Sequence, residues 1–187
     1  MAEEKKRRGR RDHLNDFYRD VSGNYVYTGV CYEHTGGVRA NTALLRRLRL
    51  MAAVMAAAVL AGGCISAPGV GRCFYVLLPY AAQIGVTGSV VWAVARWQVR
   101  EYPLREYIYR ATVQALPGRC LAQAVLAGVG LAAETLYLLL SGSGGHGAAA
   151  AIYLLLQACV LVLALLTRRA VLASDWQMEQ RGGLTTE

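Results

Sequence analysis

Residues 60 to 80 read LAGGCISAPGVGRCFYVLLPY, two apolar runs meeting at an Ala-Pro-Gly turn that carries Cys64, Arg72 and Cys73. Whether this turn is a loop in a soluble core or the hairpin between two membrane helices decides the fold. Outward on both sides the charge vanishes: residues 50 to 71 and 73 to 95 hold no Asp, Glu, Lys or Arg, and Arg49, Arg72 and Arg96 bracket them. At about 1.5 Å of rise per residue, about 22 residues make a helix of about 33 Å, enough for a hydrocarbon core of about 30 Å.

The pattern returns downstream. Residues 120 to 167 contain one formal charge, Glu134, and break at SGSGGHG, residues 141 to 147. A central acid costs about 2.5 to 3.5 kcal/mol on insertion scales, while each central Leu or Val returns roughly 0.3 to 0.6 kcal/mol. Seven Leu and two Val between residues 121 and 140 offset Glu134, so the segment is expected to insert. Four apolar runs in a chain of 187 residues that is 55% hydrophobic yet carries a net charge of +8 exclude an ordinary soluble domain. The expected fold is an all-α integral membrane protein, a bundle of four transmembrane helices over about 48–67, 73–95, 119–140 and 148–167.

The arginines give the orientation. Residues 1 to 49 hold eleven Lys and Arg, residues 96 to 119 hold five, residues 168 to 187 hold three, and Arg72 stands alone for the two opposite loops. The positive-inside rule puts both termini and the middle loop in the cytoplasm. The basic start MAEEKKRRGRR resembles a nucleic-acid or anionic-lipid patch, but topology accounts for it and no nucleic acid is expected. The excess of Arg over Lys with abundant Ala and Gly points to a high-GC bacterial genome, hence the plasma (inner) membrane.

The N-terminal segment, residues 1–41, is expected to give way to the membrane domain, 42–187, at a helix that Asn41 or Thr42 can cap. Leu14, Phe17, Tyr18 and Val21 recur at helical spacing, which predicts a short amphipathic helix over 12–21. SGN then makes a turn, and YVYTGVCYEHTGG alternates about Thr28-Gly29, which predicts a small β-hairpin suited to docking. In the middle loop, Pro103 and the apolar face Leu104, Tyr107, Ile108, Ala111 and Ala115 predict a cytoplasmic interfacial helix that stops at Pro117-Gly118. Beyond Thr167 the last helix is expected to continue, with Trp176 as an interfacial anchor.

Candidate chemistry is sparse. Cys64 and Cys73, at neighbouring helix ends on the outer side, are a candidate disulfide pair. LAGGC resembles a bacterial lipobox over five residues, yet the charged region before it is too long for a signal peptide. The cysteines also bring the chain close to four-helix quinone-linked disulfide-forming membrane proteins, from which it departs by having no C-x-x-C and no cysteine in the second outer loop. Cys31 and His34, with His13 upstream, have C-x-x-H spacing but too few partners for a structural zinc. No metal site and no cofactor is expected.

The more informative constellation lies within the spans. Gln123, Ala127, Gly130, Glu134, Tyr137 and Ser141 form a polar and small stripe on the third, a face that must look at protein. With Gln83 of the second span and Gln157 and Tyr153 of the fourth, Glu134 and Tyr137 make a candidate intramembrane network, within helical reach of Tyr80 and Thr87. No nucleophile-base grouping, paired carboxylates or phosphate loop occurs. The expectation is therefore a non-enzymatic accessory or scaffold subunit acting through protein contacts, its partners being the lipid bilayer, a protein docked on the N-terminal segment or polar stripe, or a second copy in a homo-oligomer. The alternative is a proton- or cation-linked transporter or channel subunit centred on Glu134. Small four-helix multidrug exporters are similar in using one membrane Glu, but they place it in the first span, which here has none.

Overall fold

The computed structural model describes residues 17–19, 25–27, 29–65, 67–99, 102–142 and 145–180. Helices dominate. In chain order the elements are β1 (Phe17–Arg19), β2 (Tyr25–Tyr27), β3 (Val30–His34), α1 (Gly37–Cys64), α2 (Pro68–Arg72), α3 (Phe74–Gln98), β4 (Leu104–Arg105), α4 (Glu106–Tyr109), α5 (Leu116–Ser141), α6 (Gly147–Leu172) and β5 (Trp176–Gln180). A π-helical segment, Arg110–Gln114, joins α4 to α5.

The four long helices close a ring in which α1 touches α3 and α6, and α5 touches the same two. Three helical stretches, Phe74–Gln98, Glu106–Ser141 and Gly147–Leu172, are long and apolar enough to cross a membrane. The fourth long helix, α1, carries Arg39, Arg46, Arg47 and Arg49 in its first half and only apolar or small residues after them. Side-chain distribution around the ring is inverted relative to a soluble bundle. Phe74 is 78%, Leu139 79% and Leu155 70% exposed, whereas Gln83, Gln123 and Glu134 are fully buried. Large apolar side chains on the outside with amides and a carboxyl inside suit a hydrocarbon surrounding, consistent with a membrane location.

A three-stranded antiparallel sheet, ordered β4-β3-β5, covers one end of the ring. Cys31 and Tyr32 face Arg105 and Leu104 on one side, and Val30 through His34 face Gln180 through Trp176 on the other. Because β3 precedes α1, β4 follows α3 and β5 follows α6, the sheet gathers three chain segments at one end of the helices. Under it lies an aromatic cluster: Tyr32 stacks on Tyr109 at 4.1 Å, and Trp176 meets Tyr109 at 5.4 Å and Trp97 at 5.6 Å.

Local expectations change at five places. Phe17–Arg19 is a strand paired with Tyr25–Tyr27, not part of a helix over 12–21, and residues 12–16 and 20–24, with the SGN turn, lie outside the described residues. Val30–His34 does not fold back on Tyr25–Tyr27 as a hairpin, because β5 and β4 supply ladder partners on both of its edges. The middle loop holds no separate helix ending at Pro117-Gly118. Pro117 falls in the first turn of α5, where its missing N–H costs no hydrogen bond, and helical structure runs on from Glu106 to Ser141 through the π segment. The last helix stops at Leu172 and Trp176 opens β5 instead of extending it. Finally, α1 begins at Gly37 and not at Asn41 or Thr42. The Thr42 hydroxyl bonds back to the Val38 carbonyl at 2.8 Å inside the helix.

Candidate functional site

The apolar surface of α3, α5 and α6 leaves their few polar side chains only one place to go, and the structure collects them between the helices. Gln83 and Thr87 stand four residues apart on α3, as Tyr153 and Gln157 do on α6, so each pair shares one helix face. The two amides meet head to head: Gln83 Nε2 donates to Gln157 Oε1 at 2.9 Å, and Gln157 Nε2 donates to Gln83 Oε1 at 3.1 Å. Gln157 Nε2 also donates to the Tyr153 hydroxyl oxygen at 2.9 Å. One turn along α3, the Thr87 hydroxyl donates to the Gln83 carbonyl at 2.7 Å and accepts from Gln123 Nε2 of α5 at 2.8 Å. Gly130 on α5 lies against this layer: a Cβ there would sit 3.5 Å from Gln157 Nε2, an ordinary van der Waals contact.

Glu134 belongs to a different contact. The turn between α1 and α3, read first in the sequence, folds inward as α2 and lies against α5. Its Gly69 N–H donates to Glu134 Oε1 at 3.3 Å, and a Cβ on Gly69 would overlap Glu134 Oε2. Oε2 is buried and has no hydrogen-bond partner. Tyr137, one turn on, is buried as well. Tyr80 is engaged elsewhere, its hydroxyl donating to the Val59 carbonyl of α1 at 2.7 Å, over a Gly63 that has no side chain to obstruct it.

The structure thus brings Gln83, Gln157 and Tyr153 into direct contact and leaves Glu134 hydrogen-bonded to the Gly69 backbone and to neither glutamine among the described residues. On the α5 stripe, Gln123, Ala127, Gly130, Glu134 and Tyr137 are buried while Ser141 is exposed at the helix end. Cys64 is exposed, Cys73 half-buried, and neither is bonded to the other. Cys31 is buried in β3, and His34 accepts the Gly36 N–H at Nδ1 and meets Trp176 edge-on at 5.4 Å. His13 lies outside the described residues.

Chemically, the amide pair is closed. Each glutamine both donates to and accepts from the other, so the pair ties α3 to α6 across the ring. On α5, Glu134 Oε2 and Gln123 Oε1 are the buried oxygens left without a partner among the described residues. The Gln123–Thr87 bond was missed from sequence although both positions stood out, because nothing local says which neighbour a buried amide will face. The aromatic cluster was missed because its members come from β3, α3, α4 and β5. No protein-family model matches the chain, and neither a curated protein nor a solved structure matches it.

Proposed function

We propose that the protein is a non-enzymatic accessory or scaffold subunit that crosses the bacterial plasma membrane four times, with α1 as the first span and both termini and the middle loop in the cytoplasm. The observation that carries this reading is the reciprocal Gln83–Gln157 pair, a polar contact saturated within the protein and suited to holding helices together. Orientation is supported by the sheet end of the ring, where Arg96, Arg105, Arg110, Arg119, Arg168 and Arg169 cluster while Arg72 stands at the other. Work is then done through surfaces, the sheet end and the apolar outer helix faces being the regions open to a protein partner or a second copy. Affinity purification in mild detergent with mass spectrometry tests this: a stoichiometric membrane partner, or a stable homo-oligomer, is expected. A monodisperse monomer with no companion refutes it. Reporter fusions after Gly69 and Gly145 are expected to be active only outside the cytoplasm.

One observation favours a second reading, a proton- or cation-linked transporter or channel subunit. Glu134 is a fully buried carboxyl with an unpartnered oxygen beside a turn of the chain that shields it. Glu134→Gln separates the two readings, since flux in reconstituted vesicles vanishes under transport, while assembly with a partner persists under the accessory role.

A further inference from the structure

A cavity of about 370 Å³ lies outside the polar layer, between the first half of α1 and the end of α3, beside β4. Its α1 wall is a single helix face, since Asn41, Thr42, Leu45, Arg46 and Arg49 recur at three- and four-residue spacing. Trp97, Tyr102 and Leu104 form the opposite wall. This volume is within the range that small-molecule sites occupy.

Two buried polar atoms, one on each wall, have no partner among the described residues. Trp97 is 2% exposed, and its indole Nε1–H donates to nothing; the side-chain oxygen Oδ1 of Asn41 accepts from nothing. A buried indole N–H ordinarily finds an acceptor, and a ligand hydroxyl can meet a donor on one wall and an acceptor on the other, because it accepts and donates at once. The Tyr102 oxygen already accepts the His34 N–H at 2.9 Å, which leaves its own O–H free to donate into the same space. At the rim, Arg46 and Arg49 are exposed and paired with no described carboxylate, one helical turn apart. Two guanidinium groups so placed bind a phosphate through charge-assisted hydrogen bonds, and basic pockets between helices on a cytoplasmic face recognise lipid phosphates.

We propose that this cavity binds a hydroxyl-bearing phosphate ester of the glycerol phosphate type, with the phosphate on Arg46 and Arg49 and a hydroxyl on Trp97 Nε1 and Asn41 Oδ1. Such a group is carried by an anionic phospholipid headgroup or by a free glycerol phosphate. Val38, Leu45 and Leu104 in the lining give the first methylenes of the lipid's acyl chains an apolar seat.

The test uses the full purified chain in detergent, with native mass spectrometry and thermal unfolding as readouts. Its probes are phosphatidylglycerol, phosphatidylserine, phosphatidylcholine and sn-glycerol 3-phosphate. The expected result is selective retention of phosphatidylglycerol over the other two lipids, a rise in melting temperature on adding it, and a loss on the order of tenfold in Arg46→Ala/Arg49→Ala. Trp97→Phe is expected to erase the preference for phosphatidylglycerol over phosphatidylserine. The charge-matched control Arg47→Ala/Arg169→Ala, whose side chains do not line the cavity, is expected to change retention less than twofold. Binding of sn-glycerol 3-phosphate with the same sensitivity to Arg46 and Arg49 assigns the site to a soluble ester, and its absence assigns it to the lipid. Equal loss in the two double variants, or no headgroup preference in the unaltered protein, overturns the proposal. If Trp97→Phe fails to fold, Asn41→Leu replaces it, with the same loss of preference expected.

Discussion

The Gly69 backbone N–H points at Glu134 Oε1 across 3.3 Å, from a position where no side chain fits beside the carboxyl. The turn between α1 and α3 and an interior acid therefore specify each other, although 65 residues separate them along the chain.

Gly69→Ala forces the carboxyl or the turn to move. Because the Cβ would meet Glu134 Oε2 and also lie 3.0 Å from Cδ and 3.1 Å from Val76 Cγ2, displacement of one flexible tip does not relieve it. The expected cost is about 1 to 3 kcal/mol, the scale of a buried group left unpaired, seen as a lower melting temperature in detergent. Glu134→Gln keeps the acceptor facing Gly69 and is expected to fold with a smaller loss.

The amide pair yields a coupling energy. Gln83→Leu strands Gln157, and Gln157→Leu strands Gln83, whereas the double variant removes both groups together. Measured membrane hydrogen bonds couple by about 0.6 kcal/mol on average and reach about 1.7 kcal/mol. The double-mutant cycle for Gln83 and Gln157 is expected toward the upper end because two bonds join them. Strict additivity would contradict the pairing.

Glu33 and Gln177 face each other across β3 and β5. Directly opposed residues of an antiparallel pair lie within the roughly 4.4 to 6.8 Å Cα range a disulfide spans. Glu33→Cys/Gln177→Cys is expected to cross-link within one chain under mild oxidation, read as a mobility shift reversed by reductant. Each single variant lacks the shift.

Tyr32 lies flat on Tyr109 at 4.1 Å, an aromatic pair worth roughly 0.5 to 1.5 kcal/mol beyond its buried area. Tyr32→Ala is therefore expected to lower the melting temperature and to speed amide hydrogen exchange over Val30–His34 and Trp176–Gln180, while exchange across α6 stays unchanged.

Most of the helical architecture was legible because it is local. Charge-free intervals of membrane length locate α3 and α6, and three- to four-residue spacing identifies the buried face of α5 from Gln123 to Tyr137. The sheet was not legible. The strands Val30–His34 and Trp176–Gln180 lie some 140 residues apart, and the alternation in YVYTGVCYEH is equally compatible with a hairpin to its neighbour. Pro117-Gly118 reads as a stop signal because proline ends helices from within but tolerates their first turn, and residue order alone does not say which applies. For Glu134, sequence marked the acid but not its partner, since a backbone N–H leaves no trace in side-chain patterns.

The antiparallel seam of β3 with β5 has a consequence for biogenesis. During translation β3 emerges before any long helix and β5 only after α6, so the early strand waits through the synthesis of the whole helical ring with β4 as its first edge partner. A ribosome stalled inside α6 would therefore display a nascent chain whose earlier helices are complete but whose cap remains unzipped.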